Sequence, residues 1–145
     1  MRINTRFTVA VHMMALIAFL QHTGTPASSE LLAKSVGTNP VLIRQMMSVL
    51  KKAGLIETRN GAPGIELTQA QEEITLLAVY KAVQKDMDAP LFDFHPNPNP
   101  ACFVGGNIAE AMEKPLYDSQ KAMEQSLARY SLKDITDFIG EKIHF

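Results

Sequence analysis

Arg44 and Gln45 are adjacent, and theirs are the two side chains best suited to reading purine edges. Arginine pairs with guanine O6 and N7 through two hydrogen bonds, and glutamine with adenine N6 and N7. Thr38, Asn39 and Val41 come just before them, within reach of base edges and nearby phosphates if this segment begins a helix. Lys51 and Lys52 follow at the far end, where ammonium groups suit phosphate contacts that position a protein without reading sequence. Arg59 lies beyond, beside a turn-forming tract, where a guanidinium can reach a minor groove or the backbone. Taken singly, each of these residues also fits an ordinary solvated surface. Together they point to double-stranded DNA.

Such side chains act only if two short helices cross steeply and deliver the start of the second to the major groove. The crossing needs a small residue where the helices touch, and Ala33 supplies it. The turn needs a residue tolerant of left-handed backbone, and Gly37 stands four positions later. Leu32, Val36, Ile43 and Met46 provide the flanking apolar positions. Ser28 or Ser29 predicts a cap for a helix over Glu30 to Ser35. Asn39 with Pro40 opens the next helix, which runs to about Ala53 and stops at Gly54. Leu55 to Arg59 alternates and can pair with Ile65 to Leu67 across the turn chemistry of 60–64, forming a hairpin that serves as a wing.

The remaining elements must support that unit. Thr5 predicts the cap of a first helix reaching about Gln21, closed by Gly24 and Pro26. Its apolar run from Phe7 to Leu20 follows Arg2 and Arg6 and has the look of a signal peptide. Fourteen residues are too few for a bilayer, which needs about 20. A clear A-x-A cleavage site is also missing, so a buried first helix is expected. A fourth helix is expected from about Ile74 to Gln84, with Ile74, Leu77, Ala78 and the stem of Lys81 on one face. Asp86 to Val104 reads as loop, most plainly where proline and asparagine alternate after His95. A long helix then starts near Gly106 or Asn107, with Ile108, Met112, Leu116, Met123, Leu127 and Tyr130 at helical spacing. Pro115 predicts a kink or a late start. Ser131 and Asp134 form a capping-box pattern for a short terminal helix to about Ile139.

Composition agrees with an ordinary globular chain. Its 145 residues suffice to bury about 70% of the unfolded surface without disulfide or metal. The net charge of −1 conceals an asymmetry: residues 1–67 carry +4 and residues 68–145 carry −5. A basic half joined to an acidic half predicts that one end meets a polyanion. One cysteine excludes an internal disulfide and fits a reducing cytoplasm.

The stretches Met1 to His12, Ala33 to Pro40, Leu50 to Leu55 and Glu73 to Leu77 resemble the Rrf-two family of bacterial transcription regulators, most closely its cluster-free branch. That family includes the iron–sulfur cluster regulator and the nitric-oxide-sensing repressor. The resemblance covers nearly the whole chain and is most specific over residues 1–85. It implies a mainly α fold: a winged helix-turn-helix domain with a two-stranded wing plus a long C-terminal dimerisation helix. The corresponding divisions are a DNA-binding domain at 1–85, a loop and possible sensing region at 86–104, and dimerisation and terminal helices at 105–145. It further implies a homodimer joined through residues 107–130 that reads a palindromic operator, acting as a cytoplasmic repressor with no membrane partner. Two departures matter. Family wings often carry a glycine-rich run after the arginine, whereas here Ile65 and Glu66 change the hairpin's shape and charge, which leaves wing contacts beyond Arg59 in question. Cluster-bearing members place three cysteines before the long helix; here Cys102 stands alone, too few thiolates for an iron–sulfur cluster even with His95 recruited.

Two readings stand for Cys102. Near a helix N-terminus its thiolate would be favoured, suiting a one-cysteine redox switch; otherwise it is a small, partly buried apolar residue. His12, His22, His95 and His144 show no pairing at metal-ligand spacing, so no metal is expected, and His12 reads as a packed core residue. No nucleophile–base motif or phosphate-binding glycine loop appears, so an enzyme is not expected. The alternatives to a DNA-binding regulator are a thiol or small-molecule sensor centred on the Cys102 loop, and a protein-interaction module without DNA binding.

Overall fold

The computed structural model describes residues 5–58, 64–84 and 91–145. Helix α1 (Arg6–Thr23) is apolar nearly all round and therefore lies at the centre of the molecule. Ala10, Met13, Met14 and Ile17 are fully buried along it. It ends at Gly24, whose left-handed backbone (φ 76°) lets its N–H reach the carbonyls of Gln21 and Leu20. Thr5 occupies the expected start, but its backbone is already helical and its side chain makes no capping bond. Instead its carbonyl accepts from Val9 N–H and Thr8 Oγ1.

The next two helices follow the predicted grammar. Ser28 caps α2 (Ser29–Val36) by accepting from Leu31 N–H. Gly37 closes it at φ 82° and donates to the Ala33 carbonyl at 2.9 Å. Asn39 caps α3 (Pro40–Lys52), its side-chain oxygen accepting from Leu42 N–H at 2.9 Å, with Pro40 in the first helical turn. Leu32 and Ala33 from α2 and Ile43, Met46 and Leu50 from α3 meet in the shared core.

Strands β1 (Ile56–Thr58) and β2 (Ile65–Leu67) pair antiparallel, Ile56 opposite Leu67 and Thr58 opposite Ile65. The strands bury Ile56 and Ile65 against the core, and Gln21 of α1 accepts from Leu67 N–H at 2.8 Å. Arg59 and most of the predicted turn, 60–63, lie outside the described residues.

A short 3-10 turn at Gln71–Glu73 precedes α4 (Leu76–Val83), which Thr75 caps through Ala78 N–H. The buried face of α4 differs from the expected one. Val79, Tyr80 and Val83 are the buried residues of α4, Lys81 is exposed, and Ile74 is buried from the segment before the helix. With Thr75 as cap, the helix starts two residues later than expected and Ile74 lies outside it, so packing against α1, not the position of Ile74, sets the inward face at Val79 and Val83.

Residues 91–107 form turns without regular structure, and α5 (Ile108–Ala128) follows. It starts where expected and runs through Pro115 without interruption, so the late start does not occur. Proline removes the N–H that would bond the Ala111 carbonyl, but Ala111 is exposed and water can serve it. Helix α6 (Leu132–Ile143) opens on a complete capping box between Ser131 and Asp134 and runs four residues past the expected end. It folds back on α1. Leu132 is fully buried in the common core, and its N–H donates to the Ile74 carbonyl at 2.8 Å. Thr136, buried on the same helix, donates to Gln71 Oε1 at 2.5 Å.

Candidate nucleic-acid interface

Helix α3 has two opposed faces, and their separation defines the site. Ile43, Met46 and Leu50 recur at three and four residues and are at most 1% exposed, which anchors the helix against the core. On the other side Val41, Arg44, Gln45, Ser48 and Lys52 recur at the same period, all exposed. Val41 is 55% exposed, unusual for a β-branched apolar side chain, and suits contact with a thymine methyl. Arg44 and Gln45 form no hydrogen bond or ion pair with described residues, so their donors are available to an external partner. Lys51 and Lys52 are exposed in the last turn, and α3 carries no acidic residue.

Of the predicted contact residues, Val41, Arg44, Gln45, Lys51 and Lys52 are together on this exposed surface. Thr38 is half-buried in the turn. Asn39 is exposed, but its side-chain oxygen is committed to the cap, leaving its amide N–H groups for other partners. Ser48 does not stand out in the sequence by type, although its spacing of four from Arg44 places it on the same stripe. Its hydroxyl adds a small donor and acceptor between Arg44 and Gln45 on one side and Lys51 and Lys52 on the other.

The hairpin contributes a different charge. Glu57 stands directly opposite Glu66 in the β1–β2 register, so the stem of the wing presents carboxylates.

His12 is exposed rather than packed as expected, and its Nε2 lies 2.9 Å from Ser35 Oγ, tying α1 to α2. Cys102 is exposed as well, which overturns the partly buried reading. Its loop is closely built. Cys102 N–H donates to the Asn99 carbonyl, and Gly106 N–H donates to the Cys102 carbonyl at 2.8 Å. A Cβ on Gly105 would collide with the Asn99 carbonyl oxygen, so only glycine fits there. The helix proper opens later, at Ile108, yet the thiol is held below the ordinary thiol range. Hydrogen bonding from the Gly105 backbone, then from Val104, favours its charged form.

A thiolate-ligated cluster does not fit this donor set. The chain has one cysteine, and among the described residues no group of three or more His, Cys, Asp or Glu converges as a metal site. No described helix is long and apolar enough to cross a membrane.

Comparison with known proteins gives the same architecture. Residues 3–137 match the Rrf2 family model, described as iron-dependent transcriptional regulator. YwnA of Bacillus subtilis (strain 168), whose assignment as an HTH-type transcriptional regulator is provisional, is 45% identical over 137 residues, covering 94% of this chain and 98% of YwnA. A crystal structure of a provisionally assigned DNA-binding protein is 41% identical, with a TM-score of 0.71 and coverage of 90% and 97%. CymR (YrzC), the global cysteine regulator of B. subtilis, shares the fold at 19% identity, with a TM-score of 0.68 and coverage of 95% and 98%. The helix-turn-helix, its hairpin and the match along almost the full length agree: this chain belongs to the Rrf2 family of winged-helix, DNA-binding transcriptional regulators.

Proposed function

We propose that the chain is a sequence-specific repressor that binds a palindromic operator as a homodimer. The observation that carries this reading is the exposed stripe of α3, opposite a face locked into the core. Val41, Arg44 and Gln45 read base edges, helped by Thr38, Asn39 and Ser48 at the margins. Lys51, Lys52 and Arg59 neutralise phosphate.

The homodimer is supported by α5. None of its 21 residues is buried, although Ile108, Met112, Leu116, Met123 and Leu127 line up at helical spacing. Such a stripe on a long helix calls for a partner, and a second copy of α5 is self-complementary to it under two-fold symmetry. Two α3 helices related by that axis would read inverted half-sites about one helical turn, 34–36 Å, apart. Repression follows as the simplest output, because a dimer lying across a promoter excludes polymerase without a further contact surface.

Selection from a random duplex library tests this reading. Enriched sequences should be inverted repeats, and sedimentation should show two chains per duplex. Enrichment of an asymmetric site, or no enrichment, contradicts it. A thiol-sensing output is the second reading, favoured by the exposed Cys102 with its stabilised thiolate. Peroxide should then weaken operator binding by the wild type and leave Cys102→Ser unaffected; equal responses contradict it.

A further inference from the structure

A cleft of about 710 Å³ opens where the start of α1, the end of α3 and the middle of α4 meet. Its volume falls within the roughly 300–1,000 Å³ usual for small-molecule sites. Val49, Leu55 and Ala82 make an apolar floor. Arg6, Lys52 and Lys81 stand around it, one from each helix, and no acidic residue lines it among the described residues. Neither Lys52 nor Lys81 forms an ion pair with a described residue, whereas Lys114, Lys121 and Lys133 each do. An apolar floor under cationic walls selects a ligand with both characters.

We propose that this cleft binds an organic carboxylic acid with an apolar body, and that such an acid regulates DNA binding. The carboxylate sits between Lys52 and Lys81 while the hydrocarbon lies on Val49, Leu55 and Ala82. The regulatory step rests on the DNA-binding reading above, because Lys52 then has two anionic partners. When the acid holds that ammonium, one phosphate contact at the end of α3 is weakened. By linkage, DNA weakens the acid by the same factor. A DNA phosphate is the other source of negative charge for these cations, but it has no use for the apolar floor.

Calorimetric titration of the full chain with decanoate, decanol and inorganic phosphate separates these. Saturable decanoate binding, at one per chain and at least tenfold tighter than either decanol or phosphate, is expected. Lys81→Glu should weaken decanoate at least tenfold without changing the melting temperature. Equal affinity for decanoate and decanol, equal affinity for decanoate and phosphate, or full retention in Lys81→Glu overturns the site. Saturating decanoate should also lower affinity for a selected duplex at least threefold, and an unchanged affinity overturns the shared use of Lys52. A chain that binds decanoate but no duplex contradicts the DNA reading and leaves the site standing. A chain that binds duplex but not decanoate does the reverse.

Discussion

Leu132→Ala tests whether the terminal helix is part of the same core as the helix-turn-helix. Leu132 is 0% exposed at the first turn of α6, in one cluster with Ile17, Ile43 and Leu50. Truncation removes its buried apolar area and leaves a cavity, which together cost about 2–5 kcal/mol for a fully buried leucine. The backbone bonds around it, Leu132 to Ile74 and Leu76 to Tyr130, survive the change and limit local unfolding. A value near 3 kcal/mol is therefore expected, equivalent to a melting temperature lowered by roughly 6–12 °C in a chain of this size. Urea unfolding at fixed protein concentration measures it, with a lower midpoint and an unchanged slope. Ile143→Ala, 57% exposed on the same helix, is the control and should cost at most about 0.5 kcal/mol. Equal losses for the two variants, or a Leu132→Ala loss under about 1 kcal/mol, refute the reasoning.

Three further outcomes follow from local geometry. Gly37→Ala forces a side chain into left-handed backbone with no steric neighbour, so it costs about 1–2 kcal/mol, and Gly37→Asn costs less; thermal unfolding ranks them. Gly105→Ala drives a methyl group into the Asn99 carbonyl and should speed amide exchange at Cys102 and Gly106, with α1 to α3 unaffected. Because backbone N–H groups favour the Cys102 thiolate, the pH midpoint of its alkylation should fall below that of a free cysteine, about 8.5. As pH falls through that lowered pKa the thiolate is lost; a midpoint at or above about 8.5 contradicts the loop's role.

Much of the fold is legible in local chemistry, because caps and tight turns depend on single residues. Ser28, Gly37, Asn39 and Ser131 each announce a helix boundary through one side chain or one backbone conformation. The face of α4 is not legible in the same way. Its eight residues are apolar at all positions except Tyr80 and Lys81, so no period distinguishes inside from outside, and the packing of α1 decides. His12 misleads for a related reason: its neighbours are buried, but it points to the one side of α1 that meets Ser35. The contact stripe is partly legible, since Arg44 and Gln45 stand out by type. Ser48 emerges only once the helix phase is fixed by Ile43, Met46 and Leu50. For α5, the periodicity is plain in the sequence, yet none of its residues is buried in the chain's own fold.

On the proposed reading, the exposed face of α3 contacts base edges while its end holds phosphate. A salt titration of duplex binding, with a selected site against random DNA, tests it most directly. Wild type should favour the selected site by about a thousandfold, with affinity falling steeply as salt rises. Arg44→Ala should lose about 1–3 kcal/mol, mostly at one base position, whereas Lys52→Ala should weaken both DNAs alike and reduce the salt slope by about one. Arg44→Ala and Lys52→Ala behaving identically, or wild type binding both DNAs equally at low salt, would contradict the account.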